Sequence, residues 1–231
     1  MNNEAKANDE STREHIYRAL KEDIIYLRLV PGAMISENDC AKRFSVSRTP
    51  IRDAISRLQI DNLVEVRPQR GTFVSLIDLD YVEDIIYMRH AVETNIFTEL
   101  IDVITDLQLE VLLQNIEEQK HIIKAISEGA SEVEFFNVDS QFHKYAYSYV
   151  NRTKLWEIIQ QLKVHYTRFR MLDLVKTKDF KTLLKEHCSI VDMIQKKDKK
   201  AIRDIMTEHL YGGINRLSDK IKNDYRDYFV K

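Results

Sequence analysis

Apolar positions recur at helical intervals along most of the chain. Ile16, Leu20, Ile24 and Leu27 share one face, which predicts a helix from about Thr12 to Leu27, and the Pro31-Gly32 pair stops it. Ser36 is placed as an N-cap three residues before Asp39 and opens a second helix that ends near Phe44. A third starts at Ser47. Its Pro50 falls in the first turn, where a missing N–H costs nothing, and Ile51, Ile55 and Leu58 face inward. The period then changes from helical to alternating. Leu63, Val64 and Val66 precede the turn Arg67-Pro68-Gln69-Arg70-Gly71, and Thr72, Phe73 and Val74 come after it, which predicts a two-stranded hairpin. Asn62 tolerates the left-handed backbone with which the chain leaves a helix.

All three prolines (Pro31, Pro50, Pro68) lie in the first third of the chain, so the C-terminal two-thirds has few strong breakers and reads as a helical bundle with short connections. Six or seven helices are expected there, with approximate spans Asp80–Leu100, Asp106–Ser127, Ser131–Val150, Thr153–Leu174, Asp179–Lys196 and Asp198–Lys222. Asp106 and Asp198 stand at positive helix N-termini, where a carboxylate is favoured. The reading is a mainly α protein in three parts: a flexible polar tail at 1–10, a winged helix-turn-helix (three helices plus a β-hairpin wing) at 11–76, and an all-α helical bundle at 77–231.

With 231 residues, the chain has room for two ordinary domains. No apolar run approaches the roughly 20 residues that cross a bilayer. The first ten residues lack the apolar core of a secretory signal, so a cytoplasmic location without membrane association is expected. Cys40 and Cys188 have no CxxC spacing and read as ordinary buried thiols. A net charge of −2 conceals a local excess. Between Lys42 and Phe73, Lys42, Arg43, Arg48, Arg52, Arg57, Arg67 and Arg70 face only Asp53, Asp61 and Glu65, a net of +4. Such asymmetry is the footprint of a domain that touches phosphate.

In a helix-turn-helix the second helix of the pair enters the major groove and presents its N-terminal residues to base edges. Here that stretch is Ser47-Arg48-Thr49-Pro50-Ile51-Arg52. Arg48 and Arg52 share a helix face, and either can make a bidentate contact to guanine. Ser47 and Thr49 can reach phosphate oxygens beside the free N–H groups of the first turn. The wing tip adds Arg67, Gln69, Arg70 and Gly71, where glycine lets the backbone approach DNA closely. The run Ser36-Glu37…Ala41…Phe44-Ser45-Val46-Ser47-Arg48-Thr49-Pro50-Ile51-Arg52-Asp53-Ala54-Ile55…Leu58…Leu63-Val64…Arg70-Gly71-Thr72-Phe73-Val74 closely resembles the DNA-binding domain of GntR-family regulators. The resemblance implies DNA contacts from Arg48, Thr49 and Arg52 and from the wing at Gly71. Two positions depart from the family pattern: Asn38 stands where an arginine is usual, which alters a phosphate or base contact, and Asn62 replaces the usual glycine, a harmless change at a helix C-cap.

In the bundle, Asp139 and His143 are four residues apart and converge on one helix face. His187 falls on the stripe Leu183-Leu184…Val191-Ile194, and His209 comes after Ile202, Ile205 and Met206, so both point inward. A carboxylate with three imidazoles suits Zn²⁺, Ni²⁺ or Mn²⁺ with positions left open; the same pattern also fits hydrogen-bonded core histidines. The segments Val138-Asp139…Phe142-His143, Asn151, Glu186-His187…Ile190…Ile194 and Met206…His209-Leu210 are similar to the FCD domain of the FadR subfamily. This resemblance implies a divalent metal ion held by Asp139, His143, His187 and His209, where a small organic-acid effector is received. Arg89, with Glu93 four residues later, matches the family's Arg…Glu pattern and is the candidate effector anchor, with a helical salt bridge to Glu93 as the alternative. His165, Arg168 and Arg170 on a later helix are expected on a solvated basic face, with a position facing the pocket as the alternative. His15, His90 and His121 carry no readable signal.

Together the resemblances cover the chain from about Thr12 to Leu217. They imply a homodimeric, effector-responsive regulator, most simply a repressor, that binds double-stranded operator DNA and is not an enzyme. Two alternatives stay open at this stage: a metal-dependent hydrolase with a DNA-binding head, for which no additional general base is found, and an effector-free dimeric DNA-binding protein.

Overall fold

The computed structural model describes residues 2–162 and 164–230, with side chains at 2–10 and 218–222 left out. The chain divides into two compact units. One runs to Asp78 and takes in the C-terminal residues from Tyr225; the other is Leu79–Asp224.

The first unit contains α1 (Asn2–Ile25), β1 (Met34–Ile35), α2 (Glu37–Phe44), α3 (Arg48–Ile60), β2 (Val64–Arg67) and β3 (Gly71–Val74). Ile16, Leu20 and Ile24 of α1 are fully buried, as are Ile51, Ala54 and Leu58 of α3, against which α1 packs. Helix α1 begins ten residues earlier than the sequence reading placed it, and the expected flexible tail at 1–10 lies within it from Asn2 onward. Glu4, Ala5, Lys6, Ala7 and Glu10 are good helix formers with no breaker among them, so nothing stops the helix from propagating backwards. Pro31 and Gly32, the latter at φ +79°, make the turn after α1, with Ala33 N–H donating to Val30 O at 3.0 Å.

Ser36 caps α2 by accepting from Asp39 N–H at 3.2 Å. Asn62 takes the left-handed conformation (φ 58°) after α3, and Leu63 N–H reaches Leu58 O at 2.9 Å. The hairpin has the register Val64↔Val74, Glu65↔Phe73, Val66↔Thr72 and Arg67↔Gly71. It gains a third strand that the sequence pattern did not show: β1 pairs antiparallel with β3, giving the order β1-β3-β2. Two residues are too few to display an alternation.

The C-terminus returns to this unit. Ile77 pairs in parallel with Phe229, Ile77 N–H donating to Tyr228 O at 2.8 Å and Val230 N–H to Ile77 O at 2.9 Å. Both side chains are buried. Residues 225–230 therefore belong with the winged domain and not with the 77–231 bundle; the apolar Phe229 finds its cover against Ile77.

The second unit comprises α4 (Leu79–Val103), α5 (Asp106–Ser127), α6 (Glu132–Tyr149), α7 (Thr153–Leu162), α8 (Val164–Thr177), α9 (Phe180–Gln195) and α10 (Lys199–Asn223). The single helix expected over Thr153–Leu174 is two, α7 and α8, and Lys163 between them lies outside the described residues. Thr105 and Gln108 form a capping box at the start of α5. Helix α8 packs against α4, α6 and α10, and every residue from Tyr166 to Leu174 is buried. This overturns the solvated basic face expected for His165, Arg168 and Arg170. Arg168 and Arg170 are 0% and 6% exposed and His165 is half-buried, because a helix surrounded on all sides has no solvent face. Cys40 is buried as expected, whereas Cys188 is half-buried.

Candidate metal centre and DNA interface

Helix α3, the expected reading helix, presents its polar start to solvent. Ser45 closes α2 in the left-handed conformation (φ 54°), and Ser47 enters α3 in extended geometry without using its side chain as a cap. Ser47, Arg48, Thr49 and Arg52 are exposed, while Pro50 and Ile51 are buried beneath them. Arg48 has no ion-pair partner among the described residues. Arg52, whose side chain is 64% exposed, donates from Nε to Glu37 Oε2 at 2.9 Å. At the wing tip Gln69 takes φ 61° and Gly71 φ 117°, and Arg70 N–H bonds back to Arg67 O at 3.0 Å. A side chain at Gly71 would be strained by that φ. Arg70 and Gly71 are exposed, whereas Arg67 lies over the Phe73 ring and pairs with Glu65 at 2.8 Å. Behind the motif, buried Asp23 on α1 holds Arg28 at 2.6 Å and Arg43 at the end of α2, fixing α2 against α1. Sequence spacing gave no sign of this tie.

In the helical unit Asp139 and His143 on α6, His187 on α9 and His209 on α10 come together. All four are buried, and one donor atom from each lies within 4.8 Å of the others. That is the scale on which donors at roughly 2.0–2.2 Å can share one ion. The Nε2 atoms of His143 and His209 are 3.1 Å apart, and His187 Nε2 is 3.5 Å from Asp139 Oδ1.

Each imidazole is braced from behind on Nδ1. His187 Nδ1 meets Gln119 Oε1 at 2.8 Å, and Gln119 spends its own N–H on Asn115 Oδ1 at 2.8 Å, while Asn115 donates to Val138 O at 3.1 Å. The chain of donors forces Gln119 to accept, so His187 carries its hydrogen on Nδ1 and turns the Nε2 lone pair inward. His143 Nδ1 lies 2.8 Å from Glu93 Oε2, short enough for N–H donation although not well aligned. His209 Nδ1 lies 2.8 Å from Glu186 Oε2. Burial, and then the neighbouring imidazoles, hold His187 and His209 well below the ordinary histidine range, so both are neutral. Burial works against the Asp139 charge, but Arg170, at 3.0 Å, outweighs it and keeps the carboxyl below its usual value. Burial pushes Glu186 up to about 7.

The donor set fits a divalent cation on an observation internal to the site. His187 Nε2 is buried with no hydrogen-bond partner, within a cluster of further imidazole nitrogen and carboxylate oxygen donors. A buried lone pair left idle is costly, and a cation held among these donors would engage it.

Beside the cluster is a narrow cleft of about 20 Å³ lined by residues that include Arg89, Asp139, His143, Tyr166 and Arg170. Arg89 pairs with Glu93 at 2.6 Å and also bonds the Tyr166 hydroxyl, to which Arg170 donates at 3.4 Å. The Arg89–Glu93 pair is buried, so it is more than the weak surface bridge weighed from sequence. Burial opposes both charges; the proximity of each to the other prevails, lifting Arg89 above and Glu93 below their ordinary values. Arg170 lines this cleft, so for it the pocket-facing alternative holds. Gln119 and Tyr166 escaped the sequence reading as site residues; the one hint was that two polar residues sit on otherwise apolar helix faces.

Comparison with known proteins identifies both units of the chain. Residues 12–74 match the family described as "Bacterial regulatory proteins, gntR family", and residues 84–212 match the FCD domain. The "HTH-type transcriptional repressor RspR" of Escherichia coli (strain K12) is 31% identical over 216 residues, covering 94% of this chain and 92% of that protein. A GntR transcriptional regulator from Rhodococcus sp. RHA1 has a similar fold, with TM-score 0.70 at 20% identity, covering 90% of this chain and 98% of that one. E. coli McbR/YncC, at TM-score 0.67 and 22% identity with the same coverage, also shares the fold. Among the described residues no helix is long and apolar enough to cross a membrane. The chain belongs to the GntR family of bacterial transcription regulators and joins a winged helix-turn-helix to an FCD domain.

Proposed function

We propose that this regulator is a cytoplasmic homodimeric repressor whose hold on operator DNA is set by a small carboxylate metabolite at a metal centre in the FCD domain. Asp139, His143, His187 and His209 hold the ion, for which zinc, nickel and manganese all suit the donors. When bound, such an ion supplies positive charge and open positions for an oxygen ligand. The observation that carries the reading is the bracing of all three outer imidazole nitrogens, which leaves the inner ones convergent on Asp139.

Charge balance supports an anionic effector. Without an ion, Arg89 and Arg170 are matched by Glu93 and Asp139. A divalent cation added to that buried set leaves excess positive charge, which is stable only when an anion accompanies it. Arg89 and Arg170 flank the cleft where a carboxylate would be gripped. On the DNA side, Ser47, Arg48, Thr49 and Arg52 serve the major groove, and Arg70 and Gly71 the neighbouring backbone and minor groove. Effector occupancy then shifts DNA affinity by the roughly 5–150-fold that allosteric coupling typically spans.

The test is elemental analysis of protein purified without chelator, followed by gel shifts with a panel of small organic acids. Wild type is expected to carry about one ion per chain and His187→Ala far less, with at least one acid shifting DNA affinity only in wild type. Equal, negligible metal in both proteins sinks the metal centre; metal without any acid response sinks the effector reading alone.

A further inference from the structure

We infer that Glu37 is a positioning residue for sequence reading: it holds the Arg52 guanidinium by Nε so that its two terminal nitrogens are left to address a base. The inference rests on the assignment of α3 as the reading helix.

An acid at the front of a DNA-binding surface needs an explanation. Phosphate contacts supply much of the affinity, and a carboxylate among the reading residues repels them. Glu37 is the first residue of α2, one third exposed, with a neutral asparagine after it at position 38. Among the described residues its one ion pair is with Arg52, 15 residues on and across the turn, at 2.9 Å. The contact is specific in its atoms, since Nε is the nitrogen engaged and, among the described residues, Nη1 and Nη2 make no ion pair on a side chain 64% exposed. Arginine reads guanine O6 and N7 with two parallel N–H groups, and the terminal pair suffices.

Arg48 offers a contrast. It lies one helical turn earlier, is exposed, and has no ion pair among the described residues. A free arginine can turn to a phosphate as readily as to a base; a tethered one has its plane fixed before DNA arrives and loses less freedom on binding. Glu37 thus exchanges non-specific attraction for discrimination. It also sits in the first turn of α2, where the helix dipole favours its charge, so the carboxylate is held in place by its own helix.

The test starts by selecting a preferred duplex from a random pool with the full-length protein. Anisotropy titrations at fixed salt then compare that duplex, its single base-pair variants and a scrambled duplex for wild type, Glu37→Ala, Glu37→Gln, Arg52→Ala and the Glu37→Ala/Arg52→Ala double variant. Arg52→Ala should lose discrimination at one base pair. Glu37→Ala should lose about tenfold at that same base pair. Its affinity for scrambled DNA should rise, and its salt slope should steepen by about 0.9 as the freed Arg52 neutralises a phosphate. Glu37→Gln keeps an oxygen for Nε and should retain most of the discrimination, while the double variant should discriminate no worse than Arg52→Ala. Wild-type discrimination in Glu37→Ala overturns the inference and leaves base reading by Arg52 standing. An equal loss on all duplexes also overturns it. If Arg52→Ala preserves every base preference, the reading-helix assignment falls and this inference with it.

Discussion

Replacing Gln119 with leucine should uncouple the tautomer of His187 from its position. The side chain is fully buried, similar in volume to leucine, and makes two bonds in the bundle: it accepts from His187 Nδ1 at 2.8 Å and donates to Asn115 at 2.8 Å. Leucine fills the space and offers neither. His187 Nδ1–H is then a buried donor without an acceptor, which costs about 1–3 kcal/mol in the metal-free protein. For a chain of 231 residues this corresponds to a fall in Tm of roughly 2–4 °C per kcal/mol. A second effect concerns the ion. With Nδ1 unsupported, the proton can move to Nε2, the atom that must present a lone pair, and second-layer losses of this kind typically weaken metal binding by about 10–100-fold.

The two effects separate by experiment. Competition against a chromophoric chelator gives the metal affinity, and thermal unfolding with and without added zinc gives the stability. RT ln(10–100) amounts to about 1.4–2.7 kcal/mol, so the stabilisation conferred by saturating zinc should shrink by that amount in Gln119→Leu. Undiminished zinc affinity in a folded Gln119→Leu protein would refute the claim that the outer hydrogen bond orients the inner nitrogen. Loss of stability alone, with affinity intact, would reduce Gln119 to a core packing residue.

Three further outcomes are expected. Arg216→Ala removes the guanidinium that holds buried Asp173 at 2.7 Å, leaving an uncompensated carboxylate; chemical denaturation should show a loss of about 3 kcal/mol, and a loss under 1 kcal/mol would mean that Thr177, at 3.1 Å, satisfies Asp173 unaided. Phe229→Ala empties a site only 4% exposed against Ile77 and should destabilise the winged unit by about 3 kcal/mol, seen by hydrogen exchange as faster opening in residues 1–78. Asp61 on the first unit is partly buried, which opposes its charge, but Lys21 at 2.6 Å and the Tyr17 hydroxyl prevail and hold its pKa below the ordinary aspartate value. A carboxyl depressed in the folded state contributes stability that is present above the unfolded value and is lost as pH falls through the folded one, so the benefit starts to shrink below about pH 4. Asp61→Asn should therefore lower Tm more at pH 6 than at pH 2.5; an equal drop at both would assign the effect to packing.

The parts of the fold that were legible in the sequence are those encoded locally. Ser36, Pro50 and Asn62 each mark a helix end by their own backbone or side-chain chemistry, and the alternation around Arg67–Gly71 defines a hairpin within a dozen residues. The elements that escaped detection depend on distant residues. Strand β1 is only two residues long and exists because β3 accepts it. Helix α8 reads as amphipathic with a basic face because Arg170 and Asp173 find their partners 31 and 43 residues away, in Asp139 and Arg216. The inward-facing His187 and His209 were legible because they interrupt apolar stripes; Gln119, equally buried, pairs 68 residues away and leaves no comparable trace among the many glutamines a helix surface carries. Periodicity shows which side of a helix is covered, and it cannot show what covers it.

Each of the two compact units closes on itself. The chain passes between them at two points. It leaves the winged unit at Asp78 into α4, which carries Arg89 and Glu93, and it returns from α10, which carries His209, through Tyr225 to Phe229. Within the helical unit these two helices touch directly, His90 Nε2 meeting Thr207 Oγ1 at 2.8 Å. Within the winged unit the ends of both connections are fastened together, since Phe229 is bridged to Ile77, the residue before Asp78. Glu93 braces one imidazole from α4, and another imidazole is borne by α10. The cluster and its braces therefore tie α4 to α10 inside the helical unit, just as the Ile77–Phe229 bridge ties two distant stretches of chain inside the winged unit, and in each case the contact joins residues that no local sequence pattern relates.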